Sequence, residues 1–246
     1  MSSSVTSQLR LARVRALKAS RLAVRPAMWK TVRQGVVPSL EHSDVAFSDA
    51  TATVLDVGAS RGQFASFASH RFPRARIISF EPLPESRAIL EAVTGGRSEV
   101  VPVAIGLEEG TASLHVAGHD DASSLLPIGE RQIAEFPGTA EARAIEVEVA
   151  PLSRYITDDL SRPTLLKIDV QGLELDVLRG AGERLDLIDE IFVECSFTEL
   201  YEGQALADEV IAFLLARGHR LVGVYGTSQS AGGGSLQADL LFRRTA

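Results

Sequence analysis

The sequence predicts an α/β protein built on one doubly wound, mostly parallel seven-stranded sheet whose final strand runs antiparallel. Short apolar runs alternate with segments of helical period, the pattern of a parallel sheet covered on both faces. Several of those runs are continuously apolar, as strands buried on both sides must be. The last two are joined only by a tight connection around Gly232-Gly233-Gly234, which suits an antiparallel pair.

The elements follow in order. Thr53-Val54-Leu55-Asp56-Val57 reads as the first strand and runs directly into Gly58. Residues 63–72 carry Phe64, Phe67 and Ala68 on one helical face and stop before Pro73. A second strand over 76–80 ends at Glu81-Pro82, and a helix over 84–93 starts on Pro84, with Gly95-Gly96 beyond its end. Residues 99–105 read as a third strand. Residues 111–116 and 144–149 alternate like strands, and the stretch between them, with His119, Asp120, Asp121, Pro127 and Pro137, reads as a loop or lid. Strands at 164–169 and 190–195 alternate with helices starting near Leu173 and spanning 205–217, and strands at 220–225 and 236–242 close the chain.

Composition narrows the function classes. Hydrophobic residues make up 45% of the 246 and charged residues 23%, enough to bury one sizeable core. The single cysteine, Cys195, excludes an intrachain disulfide, a four-thiolate zinc site and a CxxC redox pair, and fits a reducing, cytoplasmic compartment. The first 40 residues hold eight basic residues and no acid, so the net charge of −7 leaves −15 on residues 41–246. A body that acidic argues against nucleic acid as a partner. Residues 1–48 are read as a basic, helical extension and linker ahead of one domain over 49–246. Arginines interrupt any secretory apolar core in the leader, and its uneven apolar stripe suits peripheral contact with an anionic membrane.

The chemistry gathers at strand ends. Asp56-Val57-Gly58-Ala59-Ser60-Arg61-Gly62-Gln63 lies between the first strand and a helix, at the switch point where doubly wound sheets bind ligands. Gly58 and Gly62 allow a sharp turn and close approach to a ligand. A dinucleotide loop needs Gly-x-Gly-x-x-Gly, but Ser60 and Gln63 occupy the second and third glycine positions. Asp-x-Gly-x-x-x-Gly is instead the spacing used for S-adenosylmethionine, whose ammonium and sulfonium groups suit a nearby Asp56. Glu81, 23 residues past Gly58, stands where an acid reaches ribose hydroxyls.

A second signal is Leu165-Leu166-Lys167-Ile168-Asp169-Val170-Gln171-Gly172-Leu173-Glu174. Together with the glycine loop, Phe80-Glu81-Pro82, Val193-Glu194-Cys195-Ser196, Leu200-Tyr201-Glu202-Gly203-Gln204 and Gln237-Ala238-Asp239-Leu240-Leu241-Phe242, it resembles the FkbM family of methyltransferases over residues 53–243. The resemblance implies a Rossmann-like class I methyltransferase fold, S-adenosyl-L-methionine as donor, and a hydroxyl of a sugar, glycan, glycolipid or natural product as acceptor. Asp56, Gly58, Ala59, Gly62, Glu81 and Pro82 then belong to the cofactor site, and Asp169 to the place where donor and acceptor meet.

Transfer to an alcohol calls for a base within hydrogen-bond reach. Asp169 is the first candidate and Glu194, at the next strand tip, the second. The same two carboxylates are candidate ligands for a divalent metal. Glu174, on the first turn of a helix, reads as structural, Tyr201 as a candidate wall of the acceptor pocket, and Cys195 as a buried, inert thiol. The competing classes are a nicotinamide-dependent oxidoreductase, disfavoured by the missing glycines, and a non-catalytic module retaining the fold.

Overall fold

The computed structural model describes residues 29–230 and 232–245; the leader over 1–28 lies outside the described residues. A short helix α1 (Trp29–Arg33) and a 3-10 turn (Leu40–Asp44) precede the sheet. There follow β1 (Thr53–Val57), α2 (Gln63–Arg71), β2 (Arg76–Phe80), α3 (Pro84–Thr94), β3 (Ser98–Val101), β4 (Ala104–Gly106) and β5 (Gly110–Ala117). Next come α4 (Glu130–Glu135), β6 (Glu141–Pro151), β7 (Thr164–Ile168), α5 (Glu174–Gly180), β8 (Glu190–Ser196), α6 (Ala207–Ala216), β9 (His219–Gln229) and β10 (Ser235–Arg244).

The main sheet has seven strands in the order β3-β2-β1-β7-β8-β10-β9, and only β10 runs antiparallel to its neighbours, as expected. β1 and β7 at its centre are buried at every position. Alternate residues serve opposite faces. Val54, Ile77, Leu165, Phe192 and Leu241 pack with Phe64 and Phe67 of α2 and with Leu90 of α3. Leu55, Ile78, Leu166, Ile191 and Leu240 pack instead with Leu175 and Leu178 of α5 and Leu214 of α6.

Residues ahead of β1 cover part of the α2 face. Val45 and Phe47 are buried in its cluster, and Ser39 N–H donates to Gln63 O at 3.1 Å. No helix among the described residues is long and apolar enough to cross a membrane.

One expected strand divides. Residues 99–105 are two strands in two sheets, because Pro102 has no N–H for a ladder and Val103 N–H turns back to Val101 O at 3.0 Å. Beyond that break β4, β6 and β5 form a separate three-stranded sheet, with β4 parallel and β5 antiparallel to β6. The expected lid contains a 3-10 turn (Asp120–Ala122) and α4 rather than loop alone. α5 fixes the small sheet to the main one: a Cβ on Gly180 would lie 2.2 Å from Gly106 O.

Candidate active site

The loop after β1 is shaped by its neighbours. Gly58 has φ +74, and a Cβ there would stand 1.8 Å from Asp169 O at the end of β7. Gly62, with φ +89, would place a Cβ 2.8 Å from Leu90 Cδ1 and 2.9 Å from Val93 Cγ2. Both were expected to make room for a ligand. Gly58 does border the cleft but is required by β7, whereas Gly62 is off the cleft wall and packs against α3.

Glu81 ties the loop to the end of β2. Its Oε2 accepts Ser60 N–H and its Oε1 accepts Leu83 N–H, both at 2.8 Å. Ala59 N–H donates to Phe80 O at 3.0 Å. Gly58, Ala59, Ser60, Glu81 and Pro82 line one end of a cleft of about 1770 Å³. At that end the buried Ser60 Oγ and Gln63 Oε1 have no hydrogen-bond partner. Unpaired buried polar atoms are costly, so a polar ligand is what this cradle fits.

Asp56 lies beneath the cradle rather than on the cleft wall. It is fully buried, neither oxygen has an aligned hydrogen-bond donor, and its compensation is an ion pair with Lys167 Nζ at 3.2 Å. Lys167 Nζ also donates to Gly58 O at 2.9 Å and lies 3.7 Å from Asp169 Oδ2. Burial pushes the Asp56 carboxyl above its ordinary value, and Lys167 only partly offsets this. Burial pulls the Lys167 ammonium down, but Asp56 and then Asp169 outweigh it, so the net shift is upward. Asp56 therefore anchors the loop through Lys167; it is not a charge presented to a ligand. The two are direct register partners on β1 and β7. One lysine in an otherwise apolar strand was the available signal.

Across the carboxyl edge stand Asp169, Glu194 and Asp239, following β7 or on β8 and β10; Glu194 and Asp239 are register partners. All three line the cleft. The Asp169 side chain is 38% exposed, making it the accessible member. Glu194, half-buried by area but enclosed by protein, is raised well above the usual carboxylate range by burial, then by Asp169, Asp239 and Glu174. Burial, followed by Asp169, lifts Asp239 to about 7.

The structure does bring Asp169 and Glu194 together, through Gln171. Gln171 Nε2 donates to Asp169 Oδ1 at 2.6 Å and to Glu194 Oε2 at 3.1 Å, and Gln237 Nε2 donates to the same Glu194 oxygen at 2.9 Å. The divalent metal considered for this pair is not supported. An amide NH2 stands between the carboxylates, and among the described residues no group of three or more His, Cys, Asp or Glu is disposed to hold a metal ion. Gln171, Gln237 and Asp239 were missed as site residues. The signal was the alternation in Gln237-Ala238-Asp239, which puts two polar side chains on one face near a strand end.

Glu174 accepts Gly172 N–H at 3.0 Å and Val170 N–H at 3.4 Å, holding the turn after β7; burial lifts it to about 7. Tyr201 is fully buried behind Gln171 and does not line the cleft. Cys195 is buried, which pushes its thiol up and keeps it inert. The far walls come from His119, Asp121 and Ser123 of the inserted region, from Glu41 and His42 ahead of β1, and from Thr227 and Ser228 at the end of β9. His42 packs edge-on against Phe192 at 5.0 Å, with Nδ1 3.9 Å from Asp239 Oδ2.

This sheet order, with one antiparallel strand, a glycine loop after the first strand and an acid after the second, defines a Rossmann-like methyltransferase fold. Residues 56–221 match the methyltransferase FkbM domain, and the chain belongs to that family. It is 29% identical over 189 residues to the 2-O-methyltransferase NoeI of Sinorhizobium fredii, covering 73% of this chain and 75% of that one. Methyltransferase 1 of Beauveria bassiana is 28% identical over 171 residues, covering 61% of this chain and 67% of that one. Among solved structures, M. capricolum TrmK in complex with S-adenosylhomocysteine aligns with 85% of this chain and 70% of its own at 5% identity and a TM-score of 0.47.

Proposed function

We propose that this methyltransferase moves the methyl group of S-adenosylmethionine to a hydroxyl of a sugar, in a glycan, glycolipid or glycosylated natural product. The observation that carries the reading is the accessible Asp169 carboxylate beside the Gly58 loop, in one cleft with the Glu81 cradle. The name of NoeI supports an oxygen acceptor. At about 1770 Å³ the cleft exceeds the ~300–1,000 Å³ of an ordinary single-ligand pocket, as a donor and acceptor bound together require.

The residues present fit the donor. Glu81, which closes β2 at the cradle, would take ribose hydroxyls, and Ser60 Oγ and Gln63 Oε1 offer polar groups without partners in the protein. S-adenosylmethionine supplies a methyl already activated on sulfonium. The chain supplies placement and a proton acceptor. Asp169 takes the hydroxyl proton as the acceptor oxygen bonds to the methyl carbon; the carbon–sulfur bond breaks and its electron pair stays on sulfur. Burial, then the neighbouring Asp169, Asp239 and Glu174, raise the proton affinity of Glu194 beside that base.

Calorimetric titration with S-adenosylmethionine, S-adenosylhomocysteine and NAD tests the donor. Transfer of a radiolabelled methyl to a panel of glycans, with wild type and Asp169→Asn, tests the chemistry. Binding of both adenosyl ligands but not NAD, with labelling reduced about 10²–10⁴-fold in Asp169→Asn, is expected. Failure of folded wild type to bind either adenosyl ligand would overturn the reading.

A further inference from the structure

Gln171 is held at three points by different parts of the chain. Its backbone is left-handed, with φ +56, a conformation uncommon outside glycine, asparagine and aspartate. Its carbonyl oxygen accepts the Ser124 hydroxyl at 2.7 Å, tying it to the inserted region. Its amide spans the site: Nε2 reaches Asp169 and Glu194, and Oε1 lies 2.8 Å from the Tyr201 hydroxyl.

Donor accounting fixes the amide orientation. A carboxylate only accepts, so the group 2.6 Å from Asp169 Oδ1 is the NH2, whose two hydrogens match the two carboxyl groups. That leaves Oε1 toward Tyr201, which donates its one proton there and has Ala122 O as a second acceptor at 3.0 Å. Tyr201 is itself fixed: it is fully buried, and Gln204 Oε1 accepts its backbone N–H at 2.7 Å.

We infer that Gln171 is a positioning residue, its amide oriented by the Tyr201 hydroxyl so that one NH2 holds the Asp169 and Glu194 carboxyl groups as a pair facing the cleft. The functional consequence rests on the proposed methyl transfer, in which Asp169 is the base; the clamp itself rests on geometry alone. Two carboxyl groups that repel one another are brought together by a shared donor. Asp169 is thereby denied the free rotation of a partly exposed side chain. The Glu194 hydrogen bond to Gln171 also opposes the upward shift that burial imposes on that group.

The test uses the full chain with ¹³C-labelled Asp and Glu side chains, following carboxyl resonances against pH; the Glu194 signal is assigned by its loss in Glu194→Gln. Gln171→Asn keeps an amide that tolerates the left-handed backbone but is one methylene too short to span both acids. Tyr201→Phe keeps the ring and removes the orienting hydroxyl, so it preserves the test if Gln171→Asn does not fold. In both variants the Glu194 midpoint should rise, more in Gln171→Asn, as hydrogen bonding to its charged form weakens. A Glu194 titration unchanged in both folded variants would overturn the clamp, even if their melting temperatures fell. S-adenosylhomocysteine titration of wild type decides the functional reading separately: failure to bind counts against methyl transfer, while the resonance shift still decides the clamp.

Discussion

Removing the Lys167 ammonium while keeping its bulk isolates the link between the glycine loop and β7. In Lys167→Met the Asp56 carboxylate, fully buried and without an aligned hydrogen-bond donor, loses the cation 3.2 Å away. Exposed ion pairs contribute at most about 1 kcal/mol. Here the side chains are 8% and 0% exposed, so the buried regime applies, and breaking the pair should cost about 3–5 kcal/mol. At about 2–4 °C per kcal/mol for a domain of this size, melting should fall by roughly 6–20 °C. The loss should depend on pH. The folded Asp56 carboxyl is already raised above its ordinary 3.8 and rises further without Lys167, so the variant should regain stability as pH falls and Asp56 is protonated. Urea denaturation at pH 7.5 and 5.5 reads this directly. Asp56→Asn combined with Lys167→Met should recover most of the deficit and lose its pH dependence. A single variant within about 1 kcal/mol of wild type, or a double variant no more stable than the single, would refute the assignment of a desolvated, mutually dependent pair.

Glu81→Gln replaces an acceptor of two backbone N–H groups with an amide that presents a donor to one of them. S-adenosylhomocysteine affinity by calorimetry should fall about 10–100-fold, corresponding to roughly 1.5–3 kcal/mol for hydrogen bonds to a charged group, and unchanged affinity would remove Glu81 from the cradle. Gly62→Ala must hold a left-handed backbone against Leu90 and Val93, so urea denaturation should show a loss of about 1–3 kcal/mol, with ligand affinity retained because Gly62 faces α3. Glu174 and Asp239 are raised from 4.5 and 3.8 to about 7, so their stabilising contribution is complete below the lower values and is lost as pH climbs through 7. Glu174→Gln with Asp239→Asn should flatten stability between pH 5 and 8; an unchanged slope would count against both groups.

The main sheet was legible because its strands are apolar on both faces and its helices carry their own periodicity, so each element announced itself locally. The antiparallel place of β10 followed from one short glycine connection. What stayed hidden depends on pairing between distant segments. Residues 99–105 look like one β-prone run, and only the missing N–H of Pro102 divides them between two sheets. Asp56 read as a ligand-facing charge because its partner arrives from β7 through parallel register, which leaves no trace in local spacing. Asp169 and Glu194 were found because both end strands, but the Gln171 amide joining them depends on a left-handed turn that local pattern does not reveal. The wall containing His42 comes from a segment that reads as linker, yet is pinned by Phe64, Phe67 and Phe192.

The contact of Gly58 with the end of β7 makes the glycine loop and the Asp169 edge one mechanical unit. There is no room for even a methyl group between Gly58 and Asp169 O, Asp169 N–H is held by Val57 O at 3.1 Å, and Lys167 grips Gly58 O from below. A molecule that settles the loop therefore also settles Asp169, which in the proposed reaction is the base. For the proposed methyl transfer, the walls left to contact an acceptor are those of the inserted region and of the segment ahead of β1, which lie outside that unit.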